Sequence, residues 1–351
     1  MSKFYRIACV FPSIYLGGGS EMVVFNVARA FRQAGHSVVF FSLLPPTFTW
    51  PLDLPTSKTL PAYCQKFPKI FQVWKLRRLI REEERRHGDF DLILSNLHTR
   101  KPLVFKHPNR LFYYLHLINP DEKSGKSKRF SRYYHDKQVI AVSEGIKTEF
   151  LQLPEVHPAS VTTIYNGFDF ARIQEQANAF KPRIDEPYII HVGRFDPQKR
   201  HDVLFEAYRR LKNPPKLVLL VQVTEELKRL IAHYDLSNRV LLPGLQSNPF
   251  PWIKQAKALI LSSDFEAFGN VLLESLICGT PVVSTDCPSG PNEILKGDLA
   301  HWLSPVNDPI ALASKIQEVL EHPYSVNVEQ LRRFDIKIVL IQYLTLIKDS
   351  S

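Results

Sequence analysis

Tyr188–Val221 reads YIIHVGRFDPQKRHDVLFEAYRRLKNPPKLVLLV. A β-branched run, Tyr188–Val192, is followed by a loop, then by apolar residues at helical spacing over His201–Leu211, and then by a second apolar run, Lys216–Val221. Two buried strands joined through a helix form a parallel crossover unit, and repetition of such units builds a parallel sheet covered on both faces. The pattern continues outward. Downstream, helix Glu225–Tyr234, strands at Val240–Leu242, Ala258–Leu261 and Pro281–Ser284, and a helix over Asn270–Cys278 complete one sheet. Upstream, strands at Tyr5–Phe11, Ser37–Ser42, Leu92–Ser95, Leu111–His116 and Gln138–Val142 alternate with helices at Met22–Ala34, Ile70–Arg86 and Glu144–Gln152. The polar stretch from Gln174, QEQANAFKPRIDEP, is expected to be the interdomain linker, and a helix over Glu329–Ile347 to close the chain.

The 351 residues divide on this basis into a first domain over 1–170, a second over 171–330 and a C-terminal helix over 331–351 that packs back toward the first domain. The expected architecture is α/β, with two doubly wound domains facing a cleft, because ligands bind beyond the carboxyl ends of such strands. Hydrophobic residues at 44% and charged residues at 23% suit a globular chain and exclude disorder. The longest apolar runs fall short of a membrane span, and the start, MSKFYRIACVFPSIYLGG, reads as a buried strand and turn and not as a signal peptide. Cys9, Cys64, Cys278 and Cys287 have no CxxC or metal spacing, so free thiols in a reducing cytosol are expected.

The net charge of +10 lies wholly in one half. Residues 1–170 hold 24 Lys+Arg and 14 Asp+Glu, and residues 171–351 hold 21 of each. A polyanionic partner is expected for the first half. Lys66–Arg86 is the densest stretch, with Ile70, Val73, Trp74, Leu76 and Ile80 near helical spacing among Lys75, Arg78, Arg81 and Arg85. Such a helix either lies in a membrane interface with Trp74 as an anchor or packs on its own domain with a solvated basic face. Lys123, Lys126, Lys128, Arg129 and Arg132 form a second cluster, expected in a loop. Nothing resembles a nucleic-acid-reading module, and the two clusters together favour an anionic membrane surface.

Three segments carry chemistry. Gly17, Gly18 and Gly19 follow the first strand and precede a helix, so backbone can approach a phosphate there, although a tight turn without a ligand has the same appearance. Arg194 and Lys199 follow strand Tyr188–Val192, where two cations can grip a diphosphate. Glu266 stands before the Asn270 helix and Glu274 inside it, two carboxylates suited to accepting hydrogen bonds from sugar diols.

Together these segments resemble the GT-B glycosyltransferases, in particular the retaining family four. The E-x7-E motif matches Glu266 and Glu274, the glycine loop Gly17–Gly19, and the G-R-x5-K segment Gly193, Arg194 and Lys199. AVSEGIK from Ala141, YNGFD from Tyr165 and CGTPVVSTDCPSGPNEIL from Cys278 match as well. The resemblance implies retaining transfer of a hexose or N-acetylhexosamine from a nucleotide diphosphate sugar, UDP for preference, without a metal or other cofactor. The acceptor it implies is a lipid-linked or oligosaccharide glycan of lipopolysaccharide, lipooligosaccharide or another surface polysaccharide. Taken with the +10 first half and the free cysteines, the expectation is a cytoplasmic enzyme, peripheral on the cytoplasmic face of the inner membrane. Arg194 and Lys199 would hold the diphosphate, Glu274 the ribose, and Glu266 the transferred sugar with the amides of Phe268, Gly269 and Asn270. Gly18 and Gly19 would approach the phosphates from the first domain, and His116 would stand near the reacting sugar, with His98 as the competing candidate. Two positions depart from the family. Ala267 replaces a common glycine, where a positive φ would be strained, and Phe195 replaces a common leucine. Two alternatives stay open on the same fold: a nucleotide-sugar 2-epimerase, and a sugar-nucleotide-binding protein without catalysis.

Overall fold

The structure, a computed structural model, describes residues 4–12, 19–43, 57–59, 69–97, 106–118 and 128–349. The chain divides into two compact units, Met1–Phe168 with Phe334–Ser351, and Asp169–Arg333.

The first unit is a seven-stranded, all-parallel sheet in the order β3-β2-β1-β4-β5-β6-β7, from strands Arg6–Phe11, Ser37–Ser42, Ser57–Thr59, Leu92–Ser95, Leu111–Leu115, Gln138–Ala141 and Ser160–Thr163. Side chains alternate across it. Ile7, Cys9 and Phe11 of β1 face one core with Phe25 and Phe31 of helix α1 (Gly19–Gln33), while Ala8 and Val10 face the other with Leu76 and Ile80 of α2 (Lys69–His87). A strand covered on both sides must be apolar throughout, which is why these strands read as continuous hydrophobic runs. Each fully buried phenylalanine contributes about 1.5–3 kcal/mol relative to exposure.

Four sequence expectations change here. Lys128–Tyr134 is a helix (α3) and not a loop, which puts Lys128, Arg129 and Arg132 on helical backbone; Lys123 and Lys126 lie outside the described residues, as does Cys64. The apolar residues of α2 do not share one face. Leu76 and Ile80 enter the core, whereas Phe71 and Trp74 are each 56% exposed and lie on one stripe with the exposed Arg78, Arg81 and Arg85. The stretch from Gln174 is no linker. Phe170–Ala177 is a helix (α5) of the second unit, started by Asp169, whose carboxylate accepts from the Arg172 amide at 3.1 Å, and held by buried Ile173 and Ala177. The last helix is shorter than expected, because a 3-10 turn over Val328–Phe334 precedes α12 (Ile336–Asp349).

Helix α12 returns to the first unit at the Asn166-Gly167 turn. Phe168 donates its amide to the Phe334 carbonyl and accepts from the Ile336 amide, both at 2.9 Å. A Cβ on Gly167 would stand 2.5 Å from Ile336 Cδ1, so glycine lets the helix dock. Farther along, the Tyr343 hydroxyl meets that of Tyr114 at 2.7 Å inside the core, with Phe31 packed edge-on against Tyr343.

The second unit is a six-stranded parallel sheet in the order β10-β9-β8-β11-β12-β13, from Tyr188–Val192, Lys216–Leu220, Val240–Leu241, Leu259–Leu261, Val282–Thr285 and Leu303–Ser304. Counted from its own first strand, this is the 3-2-1-4-5-6 order of a doubly wound sheet, and six of the first unit's strands follow the same order. Helix α11 (Pro309–Glu321), which the sequence reading passed over, is started by Asp308, whose carboxylate accepts from the Ile310 and Ala311 amides.

The buried tyrosine pair yields a stability prediction. Tyr343→Phe should cost about 1–3 kcal/mol by leaving the Tyr114 hydroxyl without its partner. Tyr114→Phe combined with Tyr343→Phe should recover most of that loss in a urea-unfolding double-mutant cycle; additive losses would show that the pair contributes nothing as a pair.

Candidate active site

In the second unit the strand order reverses between β8 and β11, and the loops leaving their carboxyl ends diverge around one point. The β8 loop is shaped by local chemistry. Asp196 accepts from the Gln198 amide at 3.0 Å, Pro197 opens a 3-10 turn over Pro197–Lys199, and Arg200 adopts a left-handed backbone (φ 48°) before helix α6 (His201–Arg209) begins. The two loops are then tied together. The Asp264 amide donates to the Gln198 carbonyl at 2.9 Å, Gln198 Nε2 to the Phe265 carbonyl at 2.7 Å, and Ser262 Oγ to the Lys199 carbonyl at 2.8 Å.

This arrangement brings Lys199 and Glu266 together, Nζ to Oε1 at 2.6 Å, with side chains 14% and 10% exposed. Ser263 Oγ donates to the same Oε1 at 2.7 Å, and the Ser263 carbonyl is itself fixed by Thr285 Oγ1 at 2.6 Å. Two donors converge on Oε1, and among the described residues Oε2 accepts none, so it is the oxygen available to a ligand hydroxyl. The stem of Lys199 lies across Gly193, where a Cβ would stand 3.5 Å from Lys199 Cε. Arg194, on the same loop, is exposed and makes no hydrogen bond or ion pair with the described residues.

Beneath Lys199 lie two buried imidazoles. His191 and His201 meet edge to face at 4.7 Å, and His191 Nδ1 donates to the Ile260 carbonyl at 3.0 Å. Burial, reinforced by mutual repulsion and by Lys199, holds His191 well below the usual imidazole range; burial and then Lys199 bring His201 down to about 4. Both are therefore neutral at pH 7 and leave the Lys199 charge uncontested. Phe195 packs edge-on against His201 at 5.2 Å, which accounts for an aromatic side chain at that position.

Helix α9 (Asn270–Ile277) starts at Gly269 in the left-handed region (φ 86°). Ala267 is absent from the positive-φ residues, so the expected strain there does not arise. The loop after β12 closes on this helix start. A Cβ on Gly290 (φ 78°) would fall 2.2 Å from the Phe268 carbonyl oxygen, so only glycine permits this approach. Glu274, one turn into α9, has no ion-pair partner among the described residues, and burial pushes its carboxyl up to about 7.

In the first unit, His116 follows β5 with Nε2 3.4 Å from Asn96 Oδ1 and its ring stacked on Tyr114 at 5.2 Å. Asn96 is anchored by its amide to the Val10 carbonyl at 2.8 Å; the sequence reading passed over it although it lies in the same SNLHT segment as His98. Gly19 is the first residue of α1, and Gly17, Gly18 and His98 lie outside the described residues. Among the described residues no three His, Cys, Asp or Glu side chains gather to hold a metal ion.

Comparison with known proteins fits this geometry. The model for glycosyl transferases group 1 matches residues 173–336, and that for glycosyltransferase family 4 matches residues 17–172. The chain is 32% identical over 185 residues to an N-acetylgalactosaminyltransferase of Campylobacter jejuni that acts on a diphospho-undecaprenol-linked glycan, a match covering 52% of this chain and 50% of the relative. It is 27% identical over 198 residues to the lipopolysaccharide 1,6-galactosyltransferase of Salmonella typhimurium, covering 54% and 52%. The chain thus spans about half the length of these relatives. Among solved structures, Anabaena HepE with UDP and glucose superposes with a TM-score of 0.77 at 21% identity, over 98% of this chain and 100% of that one. The lipopolysaccharide outer core galactosyltransferase WaaB gives 0.71 at 19%, over 99% and 100%. With both doubly wound units of GT-B type and a glycosyltransferase model matching each half, the chain belongs to the group 1, family four glycosyltransferases.

Proposed function

We propose that the protein transfers a hexose or N-acetylhexosamine from a UDP-sugar to a lipid-linked or oligosaccharide acceptor in surface-glycan synthesis, with retention at the anomeric carbon and without a metal. The observation that carries the reading is the Lys199–Glu266 contact at the switch point of β8 and β11. It sets a fixed cation beside a carboxylate with one oxygen free, the pairing that a diphosphate joined to a polyhydroxyl group requires. The choice of UDP is supported by the nucleotide bound to HepE, and that of the acceptor by the names of the Campylobacter and Salmonella relatives.

In this reading Lys199 and Arg194 grip the diphosphate, and Glu266 Oε2 accepts from a sugar hydroxyl. Phe268, Gly269 and Asn270 line the start of α9, and Glu274 accepts from the ribose. The sugar–phosphate C–O bond breaks, its electron pair leaves on the diphosphate, and the two cations stabilise that charge. The acceptor oxygen adds to the same face and passes its proton to the departing phosphate oxygen. Gly18, Gly19 and His116 keep the donor-side roles that the resemblance implies for them, and Asn96 Oδ1 lies 3.4 Å from the His116 imidazole. The stripe of Phe71, Trp74, Arg78, Arg81 and Arg85 lies against anionic lipid, which makes the protein peripheral on the cytoplasmic face of the membrane that carries its acceptor.

Glu266→Gln should lower kcat by 100-fold or more, about 2.7 kcal/mol of barrier, with the fold intact by circular dichroism. Lys199→Ala should weaken UDP-sugar binding by about 1.5–3 kcal/mol in calorimetry. Near-normal turnover in the first or unchanged affinity in the second would remove that residue from the donor site.

Donor binding should depend on pH through Glu274. Hydroxyls donate to the ionised carboxyl, which burial disfavours below about 7. UDP affinity should therefore rise as pH increases through 7 and level off above it, by no more than tenfold per pH unit, and Glu274→Gln should flatten the profile. A wild-type profile flat from pH 6 to 8 would contradict the ribose assignment.

Sedimentation with anionic vesicles should fall as salt rises and fall further in Trp74→Ala. Binding that ignores both would refute the stripe as the lipid contact.

A further inference from the structure

The function proposed above uses Lys199 and Glu266 but leaves the residue between Lys199 and His201 without a part. Arg200 is unusual on two counts. Its backbone is left-handed (φ 48°, ψ 55°), a conformation that disfavours any side chain with a Cβ. It occupies the N-cap position of α6 without making a side-chain cap. A residue with a large side chain at such a position is retained against a local energetic cost, and its contacts show what offsets that cost.

The guanidinium reaches two loops and the first turn of α6. Nη1 lies 3.0 Å from both carboxylate oxygens of Asp264, two residues before Glu266. Nε and Nη2 fork onto Asp202 in the first turn of α6, at 3.0 and 2.8 Å. Nη1 also meets Asn307 Oδ1, in the loop after β13, where Asn307 itself has a positive φ of 59°. Hydrogen bonds to Asp202 and then to Asp264 push the guanidinium above its ordinary range and so favour its charged form. The bond to Asp264 closes the outer end of the series of bonds that joins the β8 loop to the β11 loop. Lys199 and Glu266 sit one residue from Arg200 and two from Asp264, so the separation of the two site groups is set where this clamp closes.

We propose that Arg200 is a positioning residue that holds the β8 and β11 loops in register through Asp264, fixing the Lys199–Glu266 spacing on which donor turnover depends. It acts through those two side chains and need not touch the donor. The inference rests on the donor-site reading, and the test separates the two.

The informative substitution is Arg200→Gly, because glycine accepts the left-handed backbone and so removes the clamp while relieving the local strain. Melting temperature should stay within a few degrees of the parent. Donor kcat should fall tenfold or more with KM changed less than threefold. Guanidinium at tens of millimolar should restore part of the rate, and sodium chloride at the same ionic strength should not. Asp264→Asn should give the same loss, and the double variant should be no slower than the slower single variant, as expected of two groups acting through one contact. If Arg200→Gly proves unstable, Asp264→Asn decides alone. Parent-like turnover in Arg200→Gly or in Asp264→Asn, while Lys199→Ala and Glu266→Gln are impaired, would overturn the positioning role and leave the donor site standing. Parent-like turnover in those last two would overturn the donor site itself.

Discussion

Parallel strands cannot be joined by a tight turn. Each must return through a helix on one face of the sheet before the next begins, so every loop that leaves a strand's carboxyl end emerges on the same edge. In both units the winding direction changes once, at β1 with β4 and at β8 with β11, and the two loops at that point diverge and leave space. The position of Lys199, Glu266 and the start of α9 follows from this constraint. They are brought together by strand order, although 67 residues of sequence separate the first two.

The charges at the switch point follow from the same geometry. A lysine and a glutamate that are mostly out of water need each other, because removing either leaves a charge with little solvent to screen it. Ser263 adds a second donor to the same oxygen, and the neutral imidazoles below contribute no competing charge. The carboxylate is thus held by one oxygen and presents the other, an arrangement that requires no rearrangement of the protein when a hydroxyl arrives.

Much of this was legible in the sequence, and the reasons differ by element. Buried strands such as Tyr188–Val192 stand out because coverage on both faces removes every polar position. Glu266 was legible as a carboxylate among apolar residues before a helix and Lys199 as a cation after the carboxyl end of a strand, and the motif resemblance joined the two into one candidate site. Arg200 was not, since nothing in a run of basic residues reveals that one of them takes a left-handed backbone and turns its side chain to Asp264. Asn96 was overshadowed by the nearby histidine. Helix α5 was hidden by polar composition, because only Ile173 and Ala177 of its eight residues are buried. The split of α2 into a core side and an outward aromatic side depends on which residues meet the sheet, and helical periodicity does not contain that information.

The chain leaves the first unit after Phe168 and re-enters it at Phe334, so the second unit is an insertion into the first. Its 165 residues are contiguous and emerge from a ribosome as a complete set. The first unit, begun earlier, lacks the helix that carries Tyr343 and Ile347 until the second unit has been made. Chain order alone therefore lets the second unit complete its core before the first, the opposite of the usual amino-terminal-first sequence. One apolar face of the earlier sheet must wait, incompletely covered, until α12 follows the second unit off the ribosome.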